Sequence, residues 1–194
     1  MAARHIPWIT PDEYLDREAL SKSKHTYHAG LVTAMAGGSL AHWILAGNLI
    51  TALNNGLRGN GCHAGGSDLL FRTGSGQMFT YPDVMVVCGP MEPMPGRNNV
   101  LTNPVFLAEV LSPSTEGIDR GAKSDEYRAT ASLRQYALIS QDQPWVQIHT
   151  RDEAGSWRIS EVTGLDGECA FTGIDCAVPM AALYEGVLDA EAVA

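Results

Sequence analysis

The segment Val105-Phe106-Leu107-Ala108-Glu109-Val110-Leu111 constrains this chain more than any other. Alternation along a strand puts Leu107, Glu109 and Leu111 on one face and Phe106, Ala108 and Val110 on the other. Both faces are apolar except for one acid, so the strand belongs in the middle of a sheet that is covered on both sides. An ionised carboxylate there costs several kcal/mol unless it is paired or bound to a cation. A second acid, Asp83, opens another apolar strand, Asp83-Val84-Met85-Val86-Val87, directly after Pro82. Adjacent strands lie about 4.8 Å apart, so these two carboxylates could share one hard divalent ion. The alternative is that Glu109 pairs with a buried arginine or caps a turn.

The rest of the chain supplies elements to cover such a sheet. Thr10 serves as an N-cap, with Pro11 at the first helical position and Glu13 completing a capping box, which predicts a short helix to about Ser21. His25 to Met35 reads as a hairpin turning near Ala29-Gly30. Ser39 caps a long helix whose Leu40, Trp43, Ile44, Gly47, Leu49, Ile50 and Leu53 follow helical spacing to about Leu57, and Gly59-Asn60-Gly61 ends it. Strands follow at 68–72, 78–81 and 83–88, then a Pro- and Gly-rich loop from Gly89 to Asn103, the strand at 105–111 and a helix from Glu116 to about Ala131. Further strands are expected at 133–139, 145–150 and 157–163. The expectation is one α+β domain spanning 1–194, with its core at about 10–188. A central mixed sheet is flanked by helices, and an N-terminal hairpin and C-terminal strands are added.

The chain has 194 residues, 13 Lys and Arg against 22 Asp and Glu, and a net charge of −9. So acidic a protein is a poor candidate for binding nucleic acid by charge alone. The charge is uneven, however. Residues 1–138 hold 11 basic and 12 acidic side chains, whereas 139–194 hold 2 and 10. No window approaches the roughly 18 apolar residues of a membrane span, and Met1 to Trp8 has no secretory apolar core. Cys62, Cys88, Cys169 and Cys176 form no CxxC pair, which argues against a disulfide scaffold and a structural zinc site. A reducing cytoplasm is the expected compartment.

Common catalytic motifs are absent: there is no GxxxxGK[ST], no GxSxG and no HExxH. Gly59-Asn60-Gly61-Cys62-His63-Ala64 has the letters of a dinucleotide fingerprint, but it follows a helix and is read as a terminator. Lys123 is the remaining candidate, with Tyr127 one helical turn later on the same face. A lysine beside a two-carboxylate metal site can position a water nucleophile and stabilise a pentacovalent phosphate, whereas elsewhere it is a solvated surface residue.

Tyr81-Pro82-Asp83-Val84, Glu109-Val110-Leu111-Ser112-Pro113-Ser114-Thr115 and Asp119-Arg120-Gly121-x-Lys123-x-x-x-Tyr127 together resemble the Uma-two-like restriction endonucleases, a branch of the PD-(D/E)XK nuclease superfamily. The likeness runs from the Thr10 helix to Leu183-Tyr184-Glu185-Gly186-Val187-Leu188. It implies a restriction-endonuclease-like core and Mg²⁺- or Mn²⁺-dependent hydrolysis of DNA. Carried across, Asp83 and Glu109 become metal ligands together with the Val110 carbonyl. Lys123 takes the place of the superfamily lysine, whose usual position is Leu111 here. Tyr127 and Ser112 become supporting or phosphate-contacting groups. His42 would meet a phosphate or a metal-bound water, or make a structural hydrogen bond. Asp68 is either an outer ligand or a hairpin cap.

The family commonly carries a glutamate where this chain has Thr26, and an acid where it has Leu31. Thr26 offers only a neutral oxygen, which weakens metal binding or removes a second metal. Two readings therefore stand at the level of sequence. One is a metal-dependent endonuclease, expected as a homodimer and drawing phosphate contacts from Arg58, Arg72, Arg120 and Lys123. The other is a catalytically impaired descendant that binds DNA or self-associates. A hydrolase of another phosphoester is a third and weaker possibility.

Overall fold

The computed structural model describes residues 8–112 and 116–187. The Pro113-Ser114-Thr115 end of the sequence motif, the Met1 to Pro7 segment and Leu188 lie outside the described residues.

Helix α1 (Pro11–Glu18) begins as its capping signal requires, with Thr10 Oγ1 accepting the Glu13 N–H at 3.3 Å. It leads into the hairpin β1 (His25–His28) and β2 (Leu31–Ala34). Helix α2 (Leu40–Gly56) is capped by Ser39. Its buried stripe is Ala41, Leu45, Leu49 and Leu53, while Leu40 and Trp43, which the periodicity placed on the core face, project into solvent. The stripe advances four residues at a time; Ile44 and Ile50 on neighbouring rows join it only partly buried. Gly59 and Gly61 both take left-handed φ (+87° and +68°) and end the helical run.

After that terminator comes β3 (Cys62–Gly65), which the sequence reading missed. Then follow β4 (Leu70–Arg72), β5 (Met78–Thr80) and β6 (Val84–Cys88). The stretch 89–103, expected as loop, contains the hairpin β7 (Pro93–Met94) and β8 (Arg97–Leu101). Next is β9 (Phe106–Leu111), the central apolar strand. The helical segment after it is broken: α3 (Glu116–Ile118) and α4 (Ser124–Arg128) are joined by a kinked stretch, Asp119–Lys123, whose Gly121 leaves helical geometry (φ −102°, ψ −105°). Strands β10 (Gln135–Ser140), β11 (Trp145–Arg151) and β12 (Trp157–Thr163) appear where the sequence placed them. A further hairpin, β13 (Glu168–Phe171) and β14 (Cys176–Pro179), and helix α5 (Met180–Leu183) close the described chain.

Two six-stranded mixed sheets form, in the orders β2-β1-β5-β4-β8-β7 and β12-β11-β10-β9-β6-β3. The fold is α+β with mixed sheets flanked by helices, as expected. In the second sheet β9 lies between antiparallel β6 and parallel β10, the central position its composition demands. All six of its residues are buried. On one face Phe106, Ala108 and Val110 pack with the α2 stripe and with Phe171. On the other, Leu107 and Leu111 pack with Tyr127, Leu133, Tyr136 and Leu138.

One disulfide is present, Cys62–Cys88, where the CxxC-free spacing led to none being expected. The reason lies in the missed strand: β3 pairs antiparallel with β6 and sets Cys62 directly opposite Cys88, their Cα atoms 4.0 Å apart. Cys169 and Cys176 are buried free thiols.

Candidate active site

The antiparallel register between β6 and β9 pairs Val84 with Ala108. One step beyond that pair lies Asp83, level with Glu109. The Asp83 carboxylate is held in place: its Oδ2 accepts the Val110 N–H at 2.8 Å and lies 3.0 Å from His42 Nε2. His42 reaches it from the first turn of α2, whose start Ser39 fixes by accepting the His42 N–H at 3.0 Å. The hydrogen bond to Asp83 lifts the His42 pKa, with burial opposing.

Glu109 is 2% exposed, and one turn of the facing helical segment grips both of its oxygens. The Tyr127 hydroxyl donates to Oε1, and Lys123 Nζ lies 3.2 Å from Oε2. These residues are four apart, so a single helical face presents both. Burial pushes the Glu109 carboxyl up from its ordinary range; Lys123 pulls it down, and Asp83 and Asp119 push it up again. Burial pulls the Lys123 pKa down, but Glu109, Asp119 and Asp83 outweigh it and hold the ammonium protonated. The Tyr127 hydroxyl is raised well above its usual value by burial and by Glu109.

Asp119 is the residue that sequence reasoning quoted in a motif but gave no role. It is 2% exposed, and its Oδ1 lies 2.7 Å from Lys123 Nζ, across the kink at Gly121. Its spacing of four from Lys123 was a visible signal, yet i,i+4 acid–lysine pairs are so common on exposed helices that it carried no weight.

The structure thus brings together His42, Asp83, Val110, Glu109, Asp119, Lys123 and Tyr127. Ser112 follows β9 and is half-buried, its carbonyl accepting the Glu116 N–H. Thr26 sits on β1 of the other sheet, opposite Thr33. Asp68 lies in the turn before β4 with its side chain 99% exposed, 3.3 Å from Lys24. His25 and His28 are half-buried on β1 and lie 2.9 Å from Glu18 and 3.9 Å from Glu126 respectively.

Three carboxylates here face one lysine, an excess of negative charge that a divalent cation suits. Among the described residues no group of three His, Cys, Asp or Glu side chains forms a ready metal cage. Mg²⁺ does not need one, since it keeps several waters and takes one or two carboxylates plus phosphate oxygens. The donor set, two carboxylates on neighbouring strands with a backbone carbonyl beside them, fits such an ion.

Two mixed sheets flanked by helices, with β9 buried at the centre of one, make an α+β fold that is shared with a solved structure. A crystal structure titled as a putative nuclease belonging to DUF820, from Anabaena variabilis, superposes with a TM-score of 0.73 at 16% identity, covering 91% of this chain and 98% of that one. Residues 11–178 match the Uma2 family, described as "putative restriction endonuclease", and the chain belongs to that family. An uncharacterized protein of Synechocystis sp. PCC 6803 is 35% identical over 183 residues, 94% of each chain. A second from the same organism is 30% identical over 164 residues, 84% of this chain and 93% of that one.

Proposed function

We propose that this chain is a divalent-metal-dependent endonuclease that hydrolyses DNA phosphodiester bonds, with Asp83, Glu109 and the Val110 carbonyl as the ligands of Mg²⁺ or Mn²⁺. The observation that carries the reading is the Glu109–Lys123 pair buried beside Asp83. An ion pair so deeply desolvated gains little stability over apolar packing, so its retention favours a chemical use.

A bound Mg²⁺ or Mn²⁺ supplies a Lewis acid that acidifies water and neutralises phosphate charge. The protein's own contribution is placement. His42 and the Val110 N–H both hold Asp83 by Oδ2, which leaves Oδ1 to turn toward a ligand. In an extended strand the N–H and C=O of one residue point to the same edge, so the Val110 carbonyl faces the Asp83 side. Tyr127 fixes the Glu109 rotamer. Lys123 brings a permanent positive charge to the place where a pentacovalent phosphate develops its own negative charge.

Nicking of supercoiled plasmid in Mg²⁺ or Mn²⁺ tests the proposal. Asp83→Ala and Lys123→Ala should each reduce cleavage by at least about a hundredfold, the loss typical of a removed electrostatic group. Inertness of the wild-type chain toward varied DNA in both metals would refute it. The impaired-descendant reading is favoured by the neutral Thr26 on β1 and by the net charge of −9. It predicts that calorimetry finds no Mn²⁺ binding.

A further inference from the structure

Lys123 Nζ lies between two carboxylates, 3.2 Å from Glu109 Oε2 and 2.7 Å from Asp119 Oδ1. The two partners are not equivalent. Glu109 has a second donor, the Tyr127 hydroxyl, and stands beside Asp83. Asp119 Oδ1 is buried and, among the described residues, has no hydrogen-bond donor apart from this ion pair. A buried carboxylate oxygen with one partner is tolerated only because of that partner. Asp119 and Lys123 also belong to one short segment, on either side of a kink at Gly121, so their contact does not run through β9. Glu109, by contrast, is the carboxylate that a cation shared with Asp83 would take.

Resting on the metal-site reading above, we infer that Asp119 is a positioning residue that retains Lys123 when Glu109 is given up to a divalent cation. Without the cation, the ammonium is shared by Glu109 and Asp119 and serves as the counter-ion of the site. With it, an ammonium and a divalent ion on one carboxylate repel strongly in a low effective dielectric. The lysine then shifts its weight onto Asp119 and stays beside the scissile phosphate instead of swinging into solvent. Two opposed effects on affinity follow. Lys123 competes with the metal for Glu109, and Asp119 relieves that competition by holding the lysine back.

The test is a cycle of four full-length chains titrated with Mn²⁺ by calorimetry near neutral pH: wild type, Asp119→Asn, Lys123→Met and the double variant. Lys123→Met should bind Mn²⁺ about tenfold more tightly than wild type once each affinity is corrected, by titration at several pH values, for the proton that Glu109 releases, because a positive charge beside the site is gone. Asp119→Asn should bind about tenfold more weakly, because the lysine then leans on Glu109 alone. In the Lys123→Met background the same Asp119→Asn change should alter affinity by no more than about threefold, since only a distant charge is lost. An equal loss in both backgrounds would show Asp119 acting directly on the metal and overturn the inference while leaving the metal site intact. No Mn²⁺ binding by any of the four overturns the metal reading itself, and the exchange with it. If Lys123→Met does not fold, Lys123→Gln, whose amide can still bond both carboxylates, takes its place with the same expected order.

Discussion

The face of β9 that meets α2 consists of Phe106, Ala108 and Val110, whereas the face under α4 carries Leu107, Glu109 and Leu111. Both are buried from solvent to the same degree. On the α2 side the strand's side chains join a large apolar cluster, which includes Phe106 set edge-on to Phe171 at 4.7 Å between ring centres. On the α4 side the same strand buries a carboxylate, and a lysine, a tyrosine and a second acid accompany it. Burial alone therefore says little about what a residue does for the molecule. The α2 face supplies the hydrophobic free energy that holds the sheet, and the α4 face uses some of it to keep charges out of water.

The comparison breaks most readily on its apolar side. Phe106→Ala removes a fully buried ring from between α2 and the β13–β14 hairpin, so chemical denaturation should show a loss of about 3–5 kcal/mol. Metal binding by the folded fraction should be unchanged, because no Phe106 atom serves the site. A variant that lost Mn²⁺ affinity while keeping its stability would mean that the two faces are not separable.

Lys123→Met comes next. It leaves Glu109 and Asp119 buried without their counter-ion, and the expected cost at neutral pH is about 3 kcal/mol, the lower end for breaking a buried pair. The cost should shrink in acid. Burial already pushes the Glu109 pKa above its unfolded value, and without Lys123 nothing but Tyr127 opposes that. A carboxyl whose folded pKa is raised binds more protons folded than unfolded, so the variant's stability falls as pH rises through neutrality and recovers below it. Denaturation midpoints at several pH values check the sign. A variant equally destabilised across the range would mean that Glu109 stays ionised without its lysine.

How far such distinctions could be read in advance depended on whether the signal was local. The two faces of β9, the acid in its middle and the capped starts of α1 and α2 were legible because alternation and capping are properties of neighbouring residues. The relation between Asp83 and Glu109 needed only strand spacing. Strand β3 was not legible, since Cys62-His63-Ala64-Gly65 has little strand propensity and is held in place by β6. The disulfide went with it. Asp119 was hidden for a different reason: its spacing to Lys123 suits an exposed helix equally well, and only tertiary burial turns an ordinary pair into part of a site.

A third case carries the comparison out to β11, at the margin of the α4 face. His149 is buried, stacks on Tyr136 at 4.1 Å, and has Arg128 Nη2 3.0 Å from its Nδ1. Burial first, and then the charges of Arg128 and Arg120, lower its pKa to about 4. A histidine depressed below its unfolded value binds fewer protons folded than unfolded, so it favours unfolding as pH drops from about 6.5 toward 4. The stability of the wild type should fall over that window by about 2 kcal/mol more than that of His149→Gln. Parallel curves for the two proteins would remove His149 from the account.

Tyr127→Phe should give the smallest effect and the sharpest one, because Tyr127 belongs to both kinds of packing at once. Its ring contributes to the apolar cluster, 5.8 Å from Phe71 and 6.0 Å from Tyr136, and phenylalanine preserves those contacts. Its hydroxyl belongs to the charged network, donating to Glu109 Oε1. The substitution deletes only that donor and leaves a buried carboxylate oxygen unserved, at a cost of about 1.5 kcal/mol. With Lys123 still on Oε2, the fold holds. What changes is the freedom of Glu109 to rotate, so Mn²⁺ affinity should drop several-fold although Tyr127 is not itself a ligand. If stability falls and Mn²⁺ affinity does not, the hydroxyl serves burial alone and the rotamer of Glu109 is fixed by Lys123.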